Sequence, residues 1–204
     1  NRTLNIGENQ PGKPDPDDNP DWMRWNNLGI GYLDALQYSD AVQAFEKVVK
    51  LRPDYVDAYT NIAVTEIPWE KYGSAWDSIE KALSLSPHNA RALYYAALLE
   101  RSASHPEEEL NDLLEVVSQY PQSRDARRDL GITYYRQGNY HEAIVQFEAL
   151  QAIDPDDLAA HYNLSILYHR MGMIKQAKEQ QALFVTEKIN SNARTYSLGY
   201  LRRH

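Results

Sequence analysis

The chain has 204 residues, a formal net charge of -8 from 21 Lys and Arg against 29 Asp and Glu, and no cysteine. The missing thiols exclude disulfides, zinc–thiolate and iron–sulfur sites, covalently attached haem and a cysteine nucleophile within these residues. The acidic balance counts against nucleic acid and anionic lipid as partners, while a hydrophobic fraction of 43% is enough for a core.

Residues 1–21 come first. Pro11, Pro14, Pro16 and Pro20, with Asp15, Asp17, Asp18 and Asp21, make a stiff, extended, acidic segment. It reads as a linker from a neighbouring domain upstream of Asn1. Asp15, Asp17, Asn19 and Asp21 alternate as in a calcium loop. Pro20 stands where such a loop carries glycine, and Asn26 where it carries glutamate, so a solvated linker is the preferred reading and calcium the alternative. The chain opens Asn1-Arg2-Thr3, without Met or signal peptide, which reads as a processed protein or a piece of a longer one. Apolar runs such as Tyr94–Leu99 fall far short of the ~20 residues that cross a bilayer, so no membrane insertion is expected.

From Trp22 the chain repeats itself. Pro53, Pro87, Pro121 and Pro155 lie 34 residues apart. Setting the first unit at 22–55 gives 56–89, 90–123, 124–157 and 158–191. Residues 192–204 open a sixth unit, whose Leu198-Gly199 falls where earlier Leu-Gly pairs fall, and are read as a closing helix. The eighth position is small throughout: Gly29, Ala63, Ala97, Gly131 and Ser165. Large apolar residues recur at the seventh (Leu28, Ile62, Leu130, Leu164), the twenty-fourth (Phe45, Ile79, Leu113, Phe147) and the twenty-seventh (Val48, Val116, Leu150, Phe184). That is the pattern of a helix pair that must stack on a neighbour to bury its apolar face. Each Pro ends a second helix. Gly138 and Gly172 mark turns inside repeats, and Ser123, Asp154 and Asp156 are candidate helix caps. Pro68 shortens the first helix of the second repeat. Glu109 stands at the twentieth position, where other repeats have Ala, so the third hairpin is expected to be looser or its second helix shifted.

Trp25, Leu28, Gly29 and Tyr32, then Ala41, Phe45 and Pro53, set a pattern that Leu130, Gly131, Tyr134, Ala143, Phe147 and Pro155 repeat. On these residues the chain resembles the tetratricopeptide repeat (TPR) family. The resemblance implies an all-α fold: a right-handed superhelical α-solenoid of five helix hairpins plus a C-terminal closing helix. More loosely, Asp21–Asn26 and His161–Leu164 resemble repeat regions of bacterial exported proteins, some carrying multihaem cytochrome modules. An extracytoplasmic address rests on that likeness alone.

No catalytic constellation stands out. No HExxH, GxSxG or phosphate-loop pattern is present in the sequence. His161 and His169 are eight residues apart, roughly 12 Å along a helix, too far for one metal. The reading is a non-enzyme without metal or other cofactor. In chaperone-binding relatives an Asn–Lys–Arg clamp grips a peptide carboxylate. Asn27, Asn61 and Asn163 hold the Asn position here, but the fifth-position residues of the five repeats, Asn26, Thr60, Tyr94, Arg128 and Tyr162, include no Lys, so the clamp is not carried over.

The resemblance also implies a concave face, lined by the second, fifth, ninth, twelfth and thirteenth positions of each first helix. In the N-terminal half these include Asn26, Ile30, Leu33, Asp57, Thr60, Val64 and Ile67. The C-terminal half carries Arg91, Tyr94, Arg101, Arg128, Tyr135, Arg136, Tyr162, His169 and Arg170, with Leu98, Ile132 and Ile166 between, and Tyr196 and Tyr200 extending it. Arg forks match carboxylates, and Tyr offers large contact area with one polar end. The expected function is a scaffold holding an acidic or aromatic segment of another protein there, with Arg128 and Arg136 as charge contacts and Tyr94, Tyr135 and Tyr162 as anchors. Solvated arginines among structural tyrosines are the plainer reading. The alternatives are a structural module, self-associating or built into a larger assembly, or an accessory domain of a larger protein, a multihaem redox protein among the candidates.

Overall fold

The computed structural model describes residues 20–189, with side chains over 21–188. Among these residues the backbone forms ten α-helices and no strand: α1 (Pro20–Asp34), α2 (Tyr38–Leu51), α3 (Val56–Glu66), α4 (Tyr72–Leu85), α5 (Ala90–Ala103), α6 (Pro106–Gln119), α7 (Arg124–Gln137), α8 (Tyr140–Ile153), α9 (Leu158–Arg170) and α10 (Ile174–Ile189). α3, α5, α7 and α9 begin 34 residues apart, and all five second helices begin at the seventeenth position of their repeats. The chain divides into two compact units, one through Glu115 and one from Val116. Within each, helices pair as antiparallel hairpins and successive hairpins stack, α2 on α3 and α4 on α5 in the first, α8 on α9 in the second. This is α-solenoid architecture.

One backbone device makes all five hairpins. The fifteenth residue of every repeat is left-handed: Leu36 (φ 59), Glu70 (φ 60), Ser104 (φ 63), Gly138 (φ 83) and Gly172 (φ 73). The next N–H then reaches back to the carbonyl of the eleventh residue, at 2.8–3.0 Å from Gln37 to Tyr32, Lys71 to Glu66, His105 to Glu100, Asn139 to Tyr134 and Met173 to Tyr168. This six-to-one closure is a Schellman turn, which satisfies carbonyls the ending helix leaves open. Gly138 and Gly172 suit it; Leu36, Glu70 and Ser104 hold the same conformation against their own Cβ.

Helix starts and stops follow local chemistry, with one change from the sequence reading. Ser123 caps α7 by accepting from Ala126 N. The cap of α9 is Asp157, which accepts from Ala160 N, and not Asp154 or Asp156. Asp154 instead ends α8 and takes the Asp156 N–H at 3.2 Å in an Asx turn. α3 stops at Glu66, two residues short of Pro68.

The core reads as matched volumes. Phe45, Ile79, Leu113 and Phe147 are fully buried. A Cβ built on Gly29 would lie 2.6 Å from Phe45 Cε1, and one on Gly131 2.8 Å from Phe147 Cε2. Phe at the twenty-fourth position thus goes with Gly at the eighth, whereas Ile79 and Leu113 go with Ala63 and Ala97. Two expectations are corrected. Leu28 does not enter the core: it is 41% exposed, against 8% for Ile62 and 0% for Leu130 and Leu164. The seventh position packs on the preceding hairpin, as Ile62 does on Ala41 and Phe45, and no hairpin precedes α1 among the described residues. Nor does Glu109 shift its helix. α6 starts in register, and the carboxylate lies fully buried against Arg101, with Nε to Oε1 at 2.6 Å.

All four tryptophans stand in the first two hairpins. Trp22 packs on Tyr55 with ring centroids 4.9 Å apart, Lys47 lies over Trp25 at 4.4 Å, and Trp69 stacks on Tyr38 at 6.4 Å. Trp76 donates to Glu80 at 2.9 Å.

Candidate functional site

In the first unit the candidate residues are engaged by their own chain. Asn61 of α3 donates to Asn26 of α1 at 3.2 Å and accepts from Arg91 of α5, linking three successive first helices. Arg91 also faces Asp57 at 3.6 Å and lies 5.9 Å from the Tyr95 ring centroid. Asp57 and Arg91 both hold the second position of their repeats, so a charge pair at the repeat spacing was there to be read. Arg101 is committed to Glu109. Tyr94 is 7% exposed, edge-on to Tyr95 at 5.4 Å. Of the other inner positions, Thr60 is buried, and its hydroxyl returns to the Val56 carbonyl at 3.2 Å.

In the second unit the set divides. Arg128 donates to Asp125 at 2.6 Å, one turn away on α7. Burial works to lower its pKa, but Asp125, Asp129 and Asp157 outweigh that and raise it. Arg124 reaches both Asp154 at 2.7 Å and Asp157, clamping the start of α7 to the turn before α9. Arg127 donates to the Pro121 carbonyl at 2.6 Å and to Gln146 at 2.9 Å. Tyr162 packs on Phe184 with centroids 5.2 Å apart. Arg136 and His169 are exposed near the ends of α7 and α9.

Arg170 is held differently. Its guanidinium carbon lies 5.3 Å from the Tyr135 ring centroid and 5.4 Å from that of Tyr140, and the two rings are 5.7 Å apart. Nη1 donates to the Tyr140 hydroxyl at 3.1 Å. No carboxylate among the described residues pairs with it. The structure brings together Tyr135 and Arg170, two residues of the expected concave face, with Tyr140. The missed residue had a signal, Tyr recurring at the seventeenth position in Tyr38, Tyr72 and Tyr140. The guanidinium is oriented by two ring faces and one hydroxyl while most of its donors stay open to solvent.

Other readings fall partly outside the described residues: Tyr196, Tyr200, the closing helix at 192–204, and Asp15, Asp17 and Asn19. Asp21 is the first-turn acid of α1, 3.6 Å from Arg24. Among the described residues no group of three or more His, Asp or Glu is placed to hold a metal, and no helix is long and apolar enough to cross a membrane.

Residues 26–66 match the family described as Tetratricopeptide repeat, and residues 131–172 one described as TPR repeat. Sperm-associated antigen 1 of Mus musculus is 31% identical over 93 residues, 46% of this chain and 10% of that protein. The peroxisomal targeting signal receptor of Kluyveromyces lactis is 34% identical over 65 residues, 32% of this chain and 12% of that protein. The chain thus spans about a tenth of the length of these curated relatives. Among solved structures, MamA superimposes with a TM-score of 0.71 at 20% identity, covering 80% of this chain and 95% of its own. YrrB, described as a TPR protein with an unusual peptide-binding site, gives 0.68 at 22% identity, covering 84% and 88%. PilF of Pseudomonas aeruginosa gives 0.75 at 21%, covering 82% and 77%. With the 34-residue period, the five equivalent hairpin turns and the Gly–Phe seams, these matches identify the chain as a tetratricopeptide repeat protein.

Proposed function

We propose that this chain is a non-catalytic scaffold whose second unit binds an acidic or aromatic segment of another protein on the first-helix face of α7 and α9. The observation that carries the reading is Arg170: a cation oriented by Tyr135 and Tyr140 and given no carboxylate among the described residues. A carboxylate arriving from a partner completes it through charge-assisted hydrogen bonds. Arg136 and His169, exposed near the ends of α7 and α9, add positive or polar character to this face, and Tyr162 offers ring surface. Arg91, Arg101, Arg128 and Tyr94 take an indirect part, since their own chain already occupies them. A peptide-binding site in YrrB and a targeting-signal receptor among the relatives support binding of a protein segment as the general role.

The test is an array of immobilised 12-residue peptides of graded net charge, probed with the native chain and with Arg170→Glu. Acidic, tyrosine-containing peptides are expected to bind. The variant should lose at least about tenfold in affinity, the scale of one charge-assisted contact, with an unchanged circular dichroism spectrum. Equal binding by the variant, or equal capture of basic peptides, overturns the proposal.

An assembly role is the second reading, and the exposed Leu28 and Met23 on α1 favour it. Sedimentation at increasing concentration checks it: a concentration-independent monomer argues against self-association.

A further inference from the structure

Glu100 on α5 is 7% exposed, and its Oε2 is buried without a hydrogen-bond partner. It takes the eleventh position of its repeat, where the first, fourth and fifth repeats carry Tyr32, Tyr134 and Tyr168. Tyr168 uses that place to donate its hydroxyl to Glu148 of the preceding second helix, at 2.6 Å. A carboxylate in the same place has no proton to give unless it is neutral.

The charges acting on Glu100 deepen the conflict. From α6 they are Asp112, Glu108 and Glu109, all acidic. The adjacent cation, Arg101, is taken by Glu109 at 2.6 Å. α4 and α3 also pack on α5. On α4 the register equivalent of Glu148 is Glu80, which accepts from Trp76. On α3 the acids are Asp57, which faces Arg91, and Glu66, which takes the Ser74 hydroxyl. An ionised Glu100 would thus be a largely buried anion whose Oε2 has no donor, facing three further carboxylates. Burying an uncompensated charge is far more costly than burying a neutral carboxyl.

We propose that Glu100 holds a proton when α6 is docked on α5, and that its ionisation loosens this hairpin, making α5–α6 a pH-responsive element. Burial, followed by the field of Asp112, Glu108 and Glu109, pushes Glu100 up from 4.5 to about 7. Burial, followed by Glu115, pushes Asp112 from 3.8 to about 6. Both folded values lie above the unfolded ones, so the unfolded chain ionises first as pH rises. The contribution of Glu100 is full below about pH 4.5 and is lost as pH climbs through about 7.

Hydrogen exchange of the full chain, read as α6 protection factors between about pH 5.5 and pH 8, tests this. One unit of pKa is a factor of ten in the coupled equilibrium, so native α6 protection should fall at least about tenfold across the window. Glu100→Gln should fall by less, keeping only the share that Asp112 loses as pH climbs through about 6, and should exceed the native chain at the alkaline end. Parallel profiles for the two proteins overturn the proposal. If Glu100→Gln does not fold, carbon-detected titration of the native Glu100 carboxyl decides. A midpoint above about 6, lowered by Asp112→Asn, supports the proposal, and one near the ordinary 4.5 refutes it.

Discussion

Replacing Gly131 with alanine sets two known effects against each other at one atom. In a helix interior the change gains up to about 1 kcal/mol from reduced backbone entropy in the unfolded chain. Against that, the new Cβ would sit 2.8, 2.9 and 3.1 Å from Cε2, Cζ and Cδ2 of Phe147. Ordinary carbon contacts lie at roughly 3.5–4.0 Å, so the ring must retreat by more than half an ångström. Phe147 is 0% exposed and belongs to the cluster of Ile132, Ala143, Leu150 and Leu164, which leaves it little space to retreat. Overpacking of this kind costs about 1–3 kcal/mol, so the net expectation is a loss of up to about 2 kcal/mol, or up to roughly 8 °C in Tm for a chain of this size. Urea and thermal denaturation followed by far-ultraviolet circular dichroism measure it. Gly31→Ala is the internal control, since nothing lies within 4 Å of its Cβ, and it should be neutral to stabilising. Adding Phe147→Leu should recover part of the Gly131→Ala loss, because Leu goes with Ala in the third repeat. If Gly131→Ala raises stability as Gly31→Ala does, the volume matching between the eighth and twenty-fourth positions is wrong.

Further outcomes can be checked in the same denaturation experiments. Arg101→Met strips a fully buried Glu109 of its cation and should cost about 3–5 kcal/mol, while adding Glu109→Ala should return much of that. Glu70→Gly, at φ 60, relieves a left-handed residue and should be neutral to about 1 kcal/mol stabilising, whereas Gly138→Ala, at φ 83, should destabilise. Leu28→Lys should change stability by no more than about 0.5 kcal/mol, as fits an exposed side chain, against a loss of about 2–5 kcal/mol for Leu130→Ala at the equivalent buried position.

The repeat was legible because its determinants are local and recur. A proline every 34 residues ends each second helix, and small residues at the eighth position mark where two helices meet. The left-handed fifteenth residue was only half visible. Gly138 and Gly172 announce it, but Leu36, Glu70 and Ser104 do not, since the six-to-one closure imposes the conformation on whatever residue stands there. The side-chain partners on the expected inner face were less legible. Positions say which side of a helix a residue occupies, not whether a neighbour one repeat away has claimed it. Arg91 meets Asp57 at the repeat spacing, Arg128 meets Asp125 one turn away, and Arg101 meets an acid that the pattern suggested should be small. Arg170 stands apart because Tyr140, from a second helix, supplies its hydroxyl partner, a contact no first-helix list contains. Glu100 passed unnoticed because an acid on a charged helix looks ordinary until its burial is known.

The placement of the tryptophans turns the chain into its own optical instrument. Trp22, Trp25, Trp69 and Trp76 all lie before residue 116, and the second unit fluoresces only through tyrosine. Red-edge excitation therefore reports the first unit alone, with no label attached, while circular dichroism reports both. Coincident melting curves would mean that the two units share one cooperative transition. Separated curves would give each unit its own stability, and a ligand added to such a sample would reveal by which curve it moves where it binds.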